Sequence, residues 1–90
     1  MRTYKLTISY DGTRYQGWQR QATTDNTIQY IIEWSLGKIV GYRVQVDGSG
    51  RTDSGVHARG QVASVKLSGL YDPEELKESL NRYLPEDIRI

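Results

Sequence analysis

The chain contains no cysteine and no phenylalanine, and its single histidine is His57. The absence of cysteine excludes disulfide bonds and thiolate metal sites. A lone histidine cannot build a zinc site within this chain, so we expect no bound metal. No apolar run approaches the roughly 18 residues that a membrane-spanning helix needs, and the chain does not begin with the apolar block of a signal peptide. We therefore expect no membrane contact and a cytoplasmic protein.

Ninety residues leave room for one hydrophobic core, so we expect a single domain spanning residues 1–90. The net charge is only +1, but it is unevenly distributed. Residues 1–66 carry nine Lys or Arg against five Asp or Glu, whereas residues 67–90 carry three against six. This is either a chance asymmetry of a solvated surface or a sign that the first part faces a polyanion. Charge alone leaves both explanations open.

The apolar residues predict three strands, two helices and the start of a fourth strand. Alternation predicts strands at Tyr4–Tyr10, Tyr42–Val46 and Gln61–Leu67, with Val62 among the buried residues, and a further strand from Asp87. A helical stripe begins at Ile28, with Asn26 or Thr27 as its cap and Gly41 at its end. A second helix begins at Asp72-Pro73, has Leu76, Leu80 and Tyr83 on its buried face, and stops before Pro85.

This β-α-β-β-α-β order predicts an α+β, ferredoxin-like fold, with an antiparallel sheet and two helices on one face. Right-handed crossovers place the first and third strands at the centre of the sheet. The link between the second and third strands runs from Asp47 to Gly60, which is much longer than the usual 2–5 residues of a hairpin loop. Loops of that length are commonly functional, so this glycine-rich segment is the first place to look for a site.

The glycine-rich segment does not fit the common loop chemistries. A phosphate-binding loop needs Gly-Lys-Ser/Thr where this chain has Gly55-Val56-His57, and the dinucleotide fingerprint ends at Asp53 instead of glycine. A calcium loop lacks its remaining oxygen ligands. A Ser-His-Asp triad requires residues placed by different parts of a fold, whereas Ser54, His57 and Asp53 are crowded into one loop.

Two other classes of protein remain as alternatives, although each fits the sequence only in part. An RNA-recognition module shares the expected topology, but stacking aromatics should follow Arg59-Gly60, and the chain has Gln61, Ala63 and Val65 there. A dimeric aspartic protease uses Asp-Ser/Thr-Gly, as in Asp53-Ser54-Gly55, but its fold is nearly all β. The remaining reading is catalysis by Asp53 as nucleophile or general base, kept ionised by Arg51. An Arg–Asp pair that only ties the loop together is an equally good reading of these residues.

Two longer stretches resemble a known family. GSGRTDSGVHARGQVASV (48–65) and YDGTRYQGWQRQ (10–21), followed by TIQ (27–29), closely resemble the two signatures of the TruA family of tRNA pseudouridine synthases. The resemblance covers essentially the whole chain in the right order. It implies isomerisation of uridine to pseudouridine on the 3′ side of the anticodon stem-loop of tRNA, without cofactor or metal.

The resemblance also implies residue roles. Asp53 is the expected catalytic aspartate, and Arg51 is expected to pair with it and to help eject the target base. Thr52, Gly55 and His57 are expected to shape the loop around the substrate, although loop backbone contacts alone would also explain His57. In the first motif, Trp18 and Gln19 are expected to line the site or to contact RNA, with core packing the competing role for Trp18. Arg14 and Arg20 are expected to contact phosphates, and Lys38 and Arg43 are weaker candidates.

The family carries a second domain and forms homodimers that hold tRNA across both subunits. The present chain resembles its N-terminal half only, because the tyrosine that stacks on the target uracil lies beyond the matching segment. We therefore expect the 90-residue chain alone to fold marginally, to bind tRNA weakly and to show little or no activity.

Overall fold

The computed structural model describes residues 1–48 and 57–90. Their elements in chain order are β1 (Arg2–Tyr10), a 3-10 helix (Gly12–Arg14), α1 (Ile28–Val40), β2 (Val46–Gly48), β3 (Ala58–Leu67), α2 (Pro73–Tyr83) and β4 (Ile88–Arg89). The four strands form an antiparallel sheet in the order β2-β3-β1-β4. The structure thus confirms the predicted α+β, ferredoxin-like class and the central position of the first and third strands.

The central pair of strands separates a buried face of the sheet from a polar one. β1 and β3 pair from Arg2 opposite Leu67 to Tyr10 opposite Ala58, and side chains alternate between the two faces. The buried side chains of this pair are Leu6, Ile8, Tyr10, Ala63, Val65 and Leu67. Our prediction that Val62 is buried was wrong, because alternation places Ala63 on the helix side and leaves Val62 half-exposed.

The opposite face of β1 exposes Thr3, Lys5, Thr7 and Ser9. On β3 the corresponding positions are Val62, Ser64 and Lys66. The outer face of these two central strands therefore has no aromatic side chain on which a base could stack. This agrees with the sequence argument against an RNA-recognition module, which needs such a platform.

Local capping fixes the limits of α1. The Thr27 hydroxyl accepts a hydrogen bond from the Tyr30 N–H (3.3 Å), and Gly41 closes the helix with a φ of 86°. This left-handed conformation favours glycine, which has no Cβ to clash. Ile28, Ile32 and Leu36 are fully buried against the sheet. Both predicted ends of α1 are confirmed.

Capping of α2 is also as predicted, since the Asp72 carboxylate accepts a hydrogen bond from the Glu75 N–H (3.2 Å) and Pro73 follows the cap. The buried face differs at its C-terminal end. Tyr83 is 50% exposed and Leu84 is buried, although they lie three and four residues after Leu80 and helical spacing allows either to share its face. The assignment of Tyr83 to the core was therefore wrong.

The region between α1 and β3 differs from the sequence prediction. We predicted a strand at Tyr42–Val46, but β2 begins only at Val46. Val44 is buried as the alternation predicted. The Tyr42 hydroxyl accepts a hydrogen bond from the Ser68 N–H (2.8 Å). β2 extends to Gly48 and β3 starts at Ala58. Residues at both ends of the link that we predicted from Asp47 to Gly60 therefore belong to the sheet. Neither of the α-helices found in residues 1–48 and 57–90 has the length and apolar character to cross a membrane.

Candidate functional site

The structure describes the two ends of the glycine-rich segment. Gly48 is the last residue of β2, and His57 directly precedes β3. Four of the predicted site residues, Arg51, Thr52, Asp53 and Gly55, lie outside the described residues. The first motif, residues 10–21, contacts the two described ends of the segment, Gly48 and His57.

Trp18 packs directly beneath Gly48. A Cβ on Gly48 would lie 2.5 Å from the indole Nε1 of Trp18, a distance that no side chain tolerates. The indole is 2% exposed and stacks on Tyr10, with 6.3 Å between the ring centroids. Trp18 therefore belongs to the core, and it holds the backbone at the start of the segment through packing.

His57 fixes the other end of the segment to the turn after β1. Its Nδ1 accepts a hydrogen bond from the Gly12 N–H (2.9 Å) and lies 3.1 Å from Oδ1 of Asp11. A neutral imidazole accepts at Nδ1 from Gly12, and a protonated one donates there to Asp11. Nδ1 thus has a partner in either state. The sequence alternative was that His57 contacts the backbone of its own loop. In the structure His57 instead contacts the backbone of the first motif, at Gly12.

Asp11 does more than form a turn. Its Oδ1 accepts hydrogen bonds from the hydroxyl (2.6 Å) and the N–H (3.0 Å) of Thr13. These bonds favour the carboxylate and hold the pKa of Asp11 below its usual value, with smaller contributions from His57 and Arg14. Asp11 therefore stays ionised beside His57 in the neutral pH range.

Arg14 and Tyr15 connect the same turn to the start of β4. The Arg14 guanidinium donates twice to Oδ2 of Asp87 (2.9 and 3.1 Å), and the Tyr15 hydroxyl donates to Oδ1 (2.6 Å). Burial, followed by the contact with Asp87, raises the pKa of Tyr15. The Arg14 side chain remains 75% exposed, so its pairing with Asp87 does not remove it from solvent.

A buried polar cluster joins α1 to β2. Oε2 of Glu33 accepts from the Val46 N–H (2.8 Å), and the Gln29 amide donates to the Val46 carbonyl (2.8 Å). Arg20 completes the cluster, because its guanidinium donates to Oε1 of Glu33 (2.8 Å) and its N–H donates to Oε1 of Gln29 (2.7 Å). The first motif, α1 and the strand that enters the glycine-rich segment are thereby held in one framework.

The predicted site residues of the first motif thus have different surroundings. Trp18 is buried, Gln19 is exposed, and Arg14 and Arg20 are exposed cations that each have a carboxylate partner. The sequence analysis did not identify Asp87 and Glu33 as the carboxylates that bind these side chains. For Glu33 a signal existed, since Gln29 and Glu33 are spaced i, i+4 beside the apolar stripe of α1. Asp87 gave no signal, because its partners are more than 70 residues away in sequence.

Comparison with known proteins identifies the family. Residues 6–90 match the tRNA pseudouridine synthase family. The chain belongs to this family. It is 58% identical over its whole length to tRNA pseudouridine synthase A of Bacillus sp. (strain KSM-64), and 51% identical to that of Chlorobium chlorochromatii (strain CaD3). A third relative, from Methylacidiphilum infernorum (isolate V4), is 47% identical over 97% of the chain.

The chain spans just over a third of these synthases, 37% of the first two and 34% of the third. The match begins within β1 and runs through β4. Both sequence motifs therefore lie within the matched region, and so does the framework that holds the two ends of the glycine-rich segment. The family predicted from those motifs is confirmed.

Proposed function

We propose that this chain provides the catalytic-aspartate domain of a tRNA pseudouridine synthase, acting on uridines in the anticodon stem-loop. The single observation that carries the proposal is the family match over residues 6–90, which includes the Gly50-Arg51-Thr52-Asp53 sequence. The described structure supports it, because Trp18 and His57 fix both ends of the segment that contains Asp53.

The proposed reaction needs no oxidant or reductant. The bond between ribose C1′ and uracil N1 breaks, a bond from C1′ to C5 forms, the hydrogen at C5 leaves as a proton, and N1 gains one. Asp53 is the proposed nucleophile, towards the ribose or the base ring. Arg51 is proposed to pair with Asp53 and to occupy the gap left by the flipped base, whose unstacking costs a few kcal/mol. Thr52 and Gly55 are proposed to shape the pocket.

The first motif is proposed to contribute in two ways. Trp18 supports the segment from below, since its indole is buried, whereas Gln19, Arg14 and Arg20 are exposed and available to RNA. The carboxylate partners of the two arginines, Asp87 and Glu33, are largely buried, so a phosphate is proposed to bind the exposed part of each guanidinium without displacing the carboxylate. A homodimer holding tRNA across both subunits, and a cytoplasmic location, complete the proposal.

The aspartic-protease alternative is not supported, because α1 and α2 are at odds with its nearly all-β fold.

The proposed reaction is tested by release of tritium from tRNA carrying uracil labelled at C5. The chain is assayed alone and supplemented with the whole remaining part of a relative, the part beyond the 37% that this chain spans, which we call the C-terminal half. Each assay uses the chain as wild type and as Asp53→Asn. We expect release from the supplemented chain and none from its Asp53→Asn variant. Tritium release that survives Asp53→Asn would refute the role of Asp53, and absence of release from every preparation would refute the proposed reaction.

A further inference from the structure

A groove runs along the outer side of α1 and is separate from the ends of the glycine-rich segment. It has a volume of about 550 Å³, and its walls include Arg20, Tyr30, Trp34, Lys38, Tyr42 and Arg43. We call it the α1 groove. Binding sites for small molecules commonly have volumes of about 300–1,000 Å³, so the α1 groove has the size to hold part of a nucleotide chain.

The charge of the α1 groove is predominantly positive. Arg20, Lys38 and Arg43 are exposed cations, and the acidic residue in the wall is Glu33. Only 6% of the Glu33 side chain is exposed, and its oxygens already accept from Arg20 and from the Val46 N–H. Three cations thus face solvent against one carboxylate that is engaged in the protein interior.

The α1 groove also exposes aromatic surface that the core does not use. Trp34 is 49% exposed and Tyr42 is 37% exposed, on the side of α1 away from its buried residues Ile28, Ile32 and Leu36. The Lys38 ammonium lies 5.2 Å from the centroid of the Trp34 ring. An exposed indole among cations is the combination that binds single-stranded nucleic acid, where bases stack on rings and cations follow the phosphates.

We propose that the α1 groove binds a stretch of the tRNA strand outside the reacting nucleotide. Lys38, Arg43 and Arg20 contact its phosphates, and a base stacks on Trp34. This inference rests on the proposed function, and it adds a contact surface to it. Arg20 connects the two regions, because its N–H is bonded to Gln29, which in turn binds the carbonyl of Val46 in β2.

The charge contribution is tested with the double variant Lys38→Gln/Arg43→Gln. Its matched control is Lys77→Gln/Arg82→Gln, which removes two exposed cations from α2. The Kd for an anticodon stem-loop RNA is measured over a series of salt concentrations, with the chain alone and with the added C-terminal half. We expect the groove variant to raise Kd about tenfold at low salt and to reduce the slope of log Kd against log salt by about 1–2, as the loss of two phosphate contacts requires. We expect the control to change Kd less than about twofold.

The stacking contribution is tested with Trp34→Ala and its control Tyr83→Ala. The two rings are equally exposed, at 49% and 50%. Loss of one stacked base raises Kd by about 5- to 100-fold, and the control should leave Kd unchanged. Far-UV circular dichroism and the melting temperature confirm that each variant is folded.

Unchanged Kd and salt slope in the groove variants, with Asp53-dependent tritium release intact, would refute the inference and leave the proposed function standing. Groove variants that lose association with the C-terminal half, or change the sedimentation of the protein, while binding RNA normally would also refute it, because a protein surface then covers the groove. Groove-dependent RNA binding without tritium release would support the α1 groove and refute the proposed reaction.

Discussion

At Gly48 the absence of a side chain lets the Trp18 indole pack against the backbone of β2. We predict that Gly48→Ala destabilises the fold by about 1–3 kcal/mol, the usual cost of overpacking, because its Cβ would lie 2.5 Å from Nε1 of Trp18. The free energy of unfolding in urea measures this. The control is Gly60→Ala in β3, where a Cβ meets no atom within 4 Å. A Gly48→Ala variant as stable as Gly60→Ala would contradict the contact between Trp18 and β2.

Tyr15 gives a prediction about pH. Because its pKa is raised above 10.0 in the folded chain, the hydroxyl contributes stability that is fully present below about pH 10 and is lost as the pH rises further. Tyr15→Phe should cost about 1.5–3 kcal/mol at neutral pH, the range for a hydrogen bond to a charged group. The difference from wild type should shrink above about pH 10.

Urea unfolding at about pH 7 and about pH 11 tests this, with Tyr83→Phe as the control because Tyr83 is half-exposed. If the difference between wild type and Tyr15→Phe is the same at both pH values, the pKa of Tyr15 is not raised in the folded chain.

At the scale of elements, α1 and β2 depend on the buried carboxylate of Glu33. We predict that Glu33→Ala destabilises the chain by at least about 1–3 kcal/mol, since the buried N–H of Val46 and the amide of Gln29 lose an acceptor. The urea midpoint measures this. Glu78→Ala, an exposed carboxylate on α2, should change stability by less than about 0.5 kcal/mol. Equal effects of the two substitutions would show that the cluster does not support β2.

The same elements show what the sequence could predict. Thr27, Gly41 and Asp72 act on backbone groups a few residues away, so local sequence was sufficient to place the helix ends. Val62 was assigned to the wrong side because it is apolar and adjoins the buried Ala63. Tyr83 was assigned to the core because its spacing from Leu76 and Leu80 fits a helical face, and spacing alone does not distinguish it from Leu84. The predicted strand start at Tyr42 was wrong, since β2 begins at Val46; the Tyr42 hydroxyl instead contacts the distant Ser68, which local patterns do not encode.

For the candidate site, the sequence predicted the position of the segment but not the contacts that hold it. The motifs marked the segment and the family, because they are long and specific. The sequence did not reveal that His57 is held by Gly12 and Asp11, or that Arg14 pairs with Asp87. These pairs join residues separated by 45 to 73 positions, and only the folded sheet brings them together.

At the scale of the whole molecule, the small core is the main constraint. A domain of this size buries a modest fraction of its surface, and the relatives are nearly three times as long as the chain. We predict that the chain alone has a free energy of unfolding below the usual 5–15 kcal/mol. The addition of the C-terminal half should raise its melting temperature. Calorimetry of the chain, the added half and their mixture tests this. An unchanged melting temperature in the mixture would contradict the expectation that the two halves associate.

The proposed role of Asp53 is to perform the isomerisation of uridine in tRNA. The most direct measurement compares tritium release from C5-labelled tRNA by Asp53→Asn and by Asp47→Asn, both in the presence of the C-terminal half. Asp47 is an exposed aspartate in the neighbouring strand β2, so it controls for the loss of one carboxylate. We expect no release with Asp53→Asn and near wild-type release with Asp47→Asn. Equal release by the two variants would refute the catalytic role of Asp53.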